Sequence, residues 1–425
     1  MTKQPKEEIK QRPPEEGRLV GPEVYLAPPP PSKGRIIGLD CHPDTFTAAV
    51  FRGSTPHDAV KLSSHPDMSL QKLLKWAAEE YTRDDLFLME ASANSFEIHR
   101  RLLDLGLRAV VMESSYVGKH AKTYADNDKM AAARIALVYL QGNVPCVWVP
   151  DAITCERREL LHAYNKAVVD RTAAINSLKG YLNQFTIRTG SRALENEKTE
   201  AWVIRQRSWT PLQRALLDGH YKHLRSQTER RTVLLRLIGQ QICGEPLMLR
   251  CMKLLGIGQI NAFALLAIIG DVRRFERPEK LVAYIGLNPG QKQSGRGKNI
   301  KMGVGKRGRS DMRCLLMQGA HAVLRMGKNT PLGKWGWKLF ARKGQRNIAV
   351  VAVARKLLVQ VWHLLSGNPP TALECDKSVA LKLSKLATNL GKRFRAELSL
   401  PATLEACVIH LHAQICSNEK KYSTA

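Results

Sequence analysis

Three acidic residues stand where the sequence pattern would put them at the edge of a packed element. Asp40 ends the apolar run GRIIGLD (34–40), and Glu90 lies near the end of DLFLMEAS (85–92). If those two strands are neighbours in one sheet, the carboxylates lie side by side. Two carboxylates on one edge repel unless a hard divalent cation sits between them. Asp128 opens the helical stretch DKMAAARIA (128–136), which would pack over that edge. A residue at 131 shares its helical face, about 5–6 Å away at Cβ. A fourth carboxylate there would complete a set able to hold two Mg²⁺ ions roughly 3.5–4 Å apart and support in-line attack on a phosphodiester. The residue at that position is Ala131. Each acid also has a plain structural use: Asp40 in a turn, Glu90 beside the next helix, Asp128 as a helix N-cap. Their order, strand then strand then helix, favours Asp40, Glu90 and Asp128 as one metal-binding set.

The elements needed to position this set can be read along the chain. Residues 1–33 are rich in Pro, Glu, Lys and Gln and are expected to form a disordered tail. GRIIGLD and TFTAAVF (45–51), separated by a short turn, give a hairpin signal. Helical and strand patterns then alternate through SLQKLLKWAAEEY, DLFLMEAS, FEIHRRLLDLG, RAVVMESS, the helix at Asp128 and VPCVWVP, which predicts an α/β layered domain over 34–150. From 151 to 249 the pattern is of long helices. Leu161, Tyr164, Val168, Ile175, Leu178 and Leu182 recur at coiled-coil spacing. A mainly helical domain is expected over 250–370, followed by a helical extension over 371–425.

Two further stretches suit phosphate. LLGIGQINAFALLAIIG (254–270) has a G-I-G turn, Gly256 to Gly258, before an apolar helix, like a helix-hairpin-helix whose amides could meet a phosphate. A tight turn into a buried helix explains it equally well. The segment 288–313 interleaves glycines with Lys292, Arg296, Lys298, Lys301, Lys306, Arg307, Arg309 and Arg313. Glycine lets backbone approach a phosphate and the cations neutralise it.

The whole chain agrees with a polyanionic partner: 66 Lys and Arg stand against 38 Asp and Glu, a formal net charge of +28. Self-repulsion of that size favours nucleic acid as counter-charge, with an anionic membrane surface as the alternative. Nine cysteines without a C-x-x-C pair point to free thiols in a reducing compartment, and the histidines have no zinc-ligand spacing. Apolar runs such as AFALLAIIG (262–270) are too short to cross a bilayer, so a soluble, unexported protein is expected.

GLDCHPDTFTAAVF, LFLMEASANS, NDKMAAARIA, LLGIGQINAFALLAIIGDVRRF, LVAYIGLNPGQKQSGRGK and VGKRGRSDMRCLL resemble, in order, the motifs of the one-ten family of insertion-sequence transposases, which includes the eleven-eleven group and is related to Piv-type DNA invertases. The resemblance covers about residues 34–365. It implies a RuvC-like, RNase H-fold N-terminal domain with four acids, of which Asp40, Glu90 and Asp128 match the first three and Ala131 the fourth. Every surrounding position fits, which favours a deliberate Asp→Ala replacement over decay of a natural copy. The resemblance also implies that Ser294 is the nucleophile, forming a 5′-phosphoserine link to DNA with Mg²⁺ held by the acids. It implies a non-coding guide RNA (bridge or seek RNA), donor and target double-stranded DNA, and a dimer or tetramer in the bacterial cytoplasm at the nucleoid. With Ala131 in place, binding with poor cleavage is expected. A non-catalytic nucleic-acid-binding derivative and a RuvC-like junction nuclease with an inert Ser294 remain as alternatives.

Overall fold

The computed structural model describes residues 19–20, 24–120, 128–292, 300–305, 308–368 and 376–423. The chain divides into two compact units, residues 1–150 and 151–425.

The first unit is built on one sheet. Its strands are β1 (Leu19–Val20), β2 (Val24–Leu26), β3 (Ile36–Cys41), β4 (Phe46–Arg52), β5 (Val60–Met68), β6 (Leu86–Glu90), β7 (Arg108–Met112) and β8 (Pro145–Cys146), in the spatial order β5-β4-β3-β6-β7-β8-β2-β1. β3, β4 and β5 form an antiparallel meander. β6 and β7 add to β3 in parallel, which requires crossovers. Those crossovers are helices α1 (Leu70–Glu80) and α2 (Ser95–Asp104); α3 (Ser114–His120) and α4 (Asp128–Leu140) follow β7.

Side chains alternate across a strand, so each face of the sheet has its own core. Ile37, Leu39, Phe87 and Met89 pack with Leu73, Trp76, Ile98 and Leu102 of α1 and α2. Ile36, Leu86 and Leu88 pack with Ala132, Ile135, Ala136 and Tyr139 of α4. Helix α4 lies unusually close to the sheet at Gly38, where an added Cβ would fall 2.1 Å from the carbonyl oxygen of Ala132. Only glycine permits that approach. At the opposite strand end, the Arg35 guanidinium and backbone N–H both donate to Asp85, fixing the start of β3 to the start of β6.

The expected tail is corrected at its end. Val24–Leu26 pairs antiparallel with Pro145–Cys146, and the Tyr139 hydroxyl donates to the Pro28 carbonyl at 2.7 Å, so the sheet begins inside 1–33. Of VPCVWVP only Pro145–Cys146 is strand.

The second unit is helical apart from one hairpin. Its helices are α5 (Ala152–Asn183), α6 (Glu197–Arg205), α7 (Pro211–Gly244), α8 (Pro246–Cys251), α9 (Gln259–Ile269), α10 (Pro278–Ile285), α11 (Ser310–Met326), α12 (Pro331–Lys343), α13 (Arg346–Leu365), α14 (Asp376–Glu397, interrupted at Gly391) and α15 (Leu404–Ser423). The hairpin joins β9 (Pro289–Lys292) to β10 (Ile300–Val304). The far halves of α5 and α7 make a small core of their own with α6, including Leu178, Leu182, Leu217 and Tyr221. Their near halves join the larger core, in which Leu161 and Ile238 share apolar packing with α9, α11, α13, α14 and α15.

Helix α9 is buried at every position from Asn261 to Ile269. Two arginines close its C-terminal end: Arg158 of α5 donates to the Ala267 and Ile268 carbonyls, and Arg274 to those of Ile269 and Ile268. Cations at this end offset the partial negative charge of the helix dipole. Helix α13 is long and apolar enough to cross a membrane by length and composition, although Arg355 and Lys356 interrupt its apolar run. Its Ala349, Val353, Leu357 and Val361 are buried in the core of this unit.

Candidate active site

The acids meet at the end of the sheet because of strand register. β3 and β6 run parallel with Leu39 opposite Met89, so Asp40 and Glu90 are the next pair along. Each stands two residues past one that faces α4, Gly38 and Leu88, and alternation turns both carboxylates to the α4 side. Asp128 is the first residue of α4, and the close crossing at Gly38 brings it down to this edge.

The three acids are not equivalent. One ligand atom each from Asp40, His42 and Asp128 lie within 4.8 Å of one another. The imidazole bridges the acids, with Nε2 3.4 Å from Asp40 Oδ2 and 3.5 Å from Asp128 Oδ1. Glu90 is the neighbour of this trio on the next strand. Burial and the charge of Asp40 hold its pKa above the usual carboxylate range, against a hydrogen bond from Ser114 and the charge of Arg134. Burial also pushes the Cys41 thiol, between Asp40 and His42, up to about 12, so it is no thiolate donor.

Ala131 lies one turn along α4 from Asp128 and is half-buried, so a methyl group stands where a carboxylate would approach the same edge. His42 and Arg134 were missed in the sequence. His42 follows Asp40 at the two-residue spacing of a strand face, the signal that could have revealed it. Arg134 lies two turns into α4, and only the packing of that helix brings its charge to Glu90.

The other candidates belong to the second unit. Ser294, Arg296 and Lys298 fall in 293–299 and, with Lys306 and Arg307, lie outside the described residues. The segment around Ser294 connects β9 to β10, so the glycine-rich stretch is flanked by hairpin strands carrying Lys292 and Lys301 at their paired ends. Arg309 is tied to Asp311 at 2.7 Å, and Arg313 donates to the Ile285 carbonyl at 3.2 Å. Both are engaged in holding α11 to what precedes it. Gly256 has φ +86°, and a Cβ there would meet the Gly319 carbonyl at 2.5 Å. Packing of the G-I-G turn on α11 therefore accounts for this glycine. Gly258, at the start of α9, has open space beside it.

Residues 249–332 match the model of the IS116/IS110/IS902 transposase family. The chain is 28% identical over 292 residues to the transposase for insertion sequence element IS1111A of Coxiella burnetii, covering 66% of this chain and 77% of that protein. Across about two thirds of its length the chain is similar to IS110-type transposases. It is also 28% identical over 290 residues to a probable family 20 transposase of Pseudomonas aeruginosa, covering 66% and 84% of the two chains. To the transposase for insertion sequence element IS1328 of Yersinia enterocolitica it is 27% identical over 280 residues, covering 64% and 81%. In this chain the family match runs from the end of α8 through the β9–β10 hairpin and α11 and stops at Leu332, in the first turn of α12.

Proposed function

We propose that this transposase joins donor and target DNA through a composite site, with Asp40, Glu90 and Asp128 as cation ligands and Ser294 as nucleophile. The observation that carries the reading is the convergence of Asp40, His42 and Asp128 within 4.8 Å, with Glu90 on the adjoining strand. The strand order, an antiparallel meander extended by two parallel strands, supports a RuvC-like, RNase H-type reading of the first unit.

The donor set fits a hard divalent cation: carboxylates from two strands and a helix, converging where like charges would otherwise repel. When bound, Mg²⁺ supplies polarisation of the scissile phosphate and stabilisation of the departing oxygen. The chain's own residues do the rest. Asp40, Glu90 and Asp128 would hold the cation from two strands and a helix, with His42 a further donor between Asp40 and Asp128. The Ser294 hydroxyl attacks phosphorus, leaving a 5′-phosphoserine link and a free 3′-hydroxyl that later religates. Basic residues of the β9–β10 segment hold the phosphates. A non-coding guide RNA selects donor and target duplexes, and a dimer or tetramer in the bacterial cytoplasm, at the nucleoid, holds them together. Ala131 removes one ligand, so cleavage is weak.

The test restores the acid. Ala131→Asp and the parent chain are incubated with Mg²⁺, the co-transcribed RNA and labelled duplexes, and a denaturing gel is read for a protein-linked strand. An adduct formed with Asp at 131 and lost on Ser294→Ala supports the serine recombinase. Cutting that survives Ser294→Ala means a junction nuclease. Ala131 itself favours a second reading, a binding protein without catalysis, and binding without adduct in both chains would establish that.

A further inference from the structure

Between Met312 and Leu373 the chain carries ten Lys and Arg and no Asp or Glu. Helix α12 lies in the middle of this stretch. Its Gly333 and Gly336 are buried, and each permits an approach that a side chain would block. A Cβ on Gly333 would fall 1.9 Å from the Gly327 carbonyl oxygen, and one on Gly336 2.7 Å from side-chain carbons of both Leu324 and Val353. The helix is thereby pressed by its glycine face onto α11 and α13. At 3.6 residues per turn the opposite face carries Lys334, Lys338 and Arg342, one turn apart, with about 6 Å of rise at each step. All three are exposed.

The row extends at both ends. Lys343 and Arg346 are exposed beyond Arg342. Lys328 sits 5.4 Å from the centre of the Trp337 ring, which is itself fixed by donation of its indole N–H to the Leu324 carbonyl. Among the described residues none of Lys334, Lys338, Arg342, Lys343 and Arg346 forms an ion pair. Several exposed cations elsewhere in this unit do have acids one turn away, as in Lys166–Asp170, Arg214–Asp218 and Arg393–Glu397. Like charges at i, i+4 destabilise a helix, so an unpaired row held outward on a rigid, close-packed helix calls for an external counter-charge.

We infer that the outer face of α12 is a second nucleic-acid surface, separate from the β9–β10 segment, that grips the phosphate backbone of double-stranded DNA. A fixed row of cations matches the regular phosphates of a duplex. Single-strand binding would need open aromatic platforms, whereas Trp335 lies under the Lys356 ammonium and the Trp337 ring, about a third exposed, is flanked by Lys328 and Phe340. The surface reads no bases, since lysine and arginine directed at phosphates position a duplex without selecting its sequence. The family match stops at Leu332, before this row begins.

The inference rests on the proposal that the protein acts on DNA. It is tested by fluorescence anisotropy with a random-sequence duplex across a range of salt. For Lys334→Gln/Lys338→Gln/Arg342→Gln, the slope of log affinity against log salt should become shallower by about 2–3, at roughly 0.9 for each lost phosphate contact. A matched triple, Lys75→Gln/Arg101→Gln/Arg393→Gln, removes the same charge from ion-paired sites and should leave the slope within about 1 of the parent. If the first triple fails to fold, Lys338→Gln alone should lower the slope by about 1. Equal slopes for the two triples, or weakened binding of structured RNA with duplex DNA unaffected, overturn the inference alone. Failure of the parent chain to bind duplex DNA overturns the proposed function with it.

Discussion

Helices α4 and α12 use the same packing device to opposite electrostatic ends. Each is drawn against its unit at glycine, Gly38 beneath α4 and Gly333 and Gly336 within α12 itself. Below α4 the close approach makes charges of one sign converge: Asp128 comes down onto Asp40, with Glu90 beside them. On α12 it makes charges of one sign diverge, Lys334, Lys338 and Arg342 standing outward in a line. A converging set suits one small counter-ion, and a diverging line suits an extended polymer of opposite charge. Glycine in both cases decides where the charges go without carrying any.

The comparison breaks first at Gly38. Gly38→Val forces a Cβ against the Ala132 backbone, which cannot swing aside, and should cost about 3 kcal/mol. Hydrogen–deuterium exchange should rise in β3 and α4, and Mn²⁺ affinity should fall with it. If exchange is unchanged, the close approach of α4 does not position Asp128.

Acid should weaken the same unit. His99 is buried on α2, and its pKa is lowered by burial from 6.5 to about 4. A depressed value means that the fold holds the neutral ring, so its contribution is intact above pH about 6.5 and is lost as pH falls towards 4. The loss should approach about 3 kcal/mol. His99→Gln should flatten the dependence of exchange in α2 and β7 on pH over that window.

Gly336→Val should be milder than Gly38→Val, because the obstructing atoms are ends of the Leu324 and Val353 side chains. A cost of about 1–2 kcal/mol in α12 exchange is expected. The salt slope for duplex DNA should be retained, since the cations stay on the outer face. A cost equal to that at Gly38 would erase the distinction between soft and hard neighbours. Smallest of all, Glu79→Ala breaks the exposed Lys75–Glu79 pair on α1, and urea denaturation should register no more than ~0.5 kcal/mol.

Much of the first unit was legible in the sequence because its strands are short apolar runs ended by acids. Ile36–Cys41 and Leu86–Glu90 carry that signal plainly. Strand β5, VKLSSHPDM, carries none. It is an edge strand exposed along most of its length, containing Pro66, and its pairing with β4 is irregular twice. Helix α12 was hidden for another reason. PLGKWGWKLFARK has two glycines that lower helix propensity, and those residues are required by tertiary contacts that no local pattern reveals. The Thr330 cap, accepting from the Gly333 N–H at 3.1 Å, marks its start. The hairpin around Ser294 escaped because glycine and lysine are poor strand formers. At the candidate site Asp40, Glu90 and Asp128 followed from element ends, whereas His42, one residue past the end of β3, shares the spacing of Asp40 but meets Asp128 only when α4 docks.

The clamp on α9 has a mechanical side. Arg158 lies near the start of α5, a single helix of 32 residues, and its guanidinium is bonded to two carbonyls of a helix buried on all sides. At 1.5 Å per residue α5 is about 48 Å long. From Arg158 to Asn183 is 25 residues, about 38 Å, so a tilt of about 5° at the clamp would sweep the far end of α5, with the part of α7 packed on it, through roughly 3 Å. A displacement of the small core around Leu182 would therefore reach the C-terminal end of α9 reduced in amplitude.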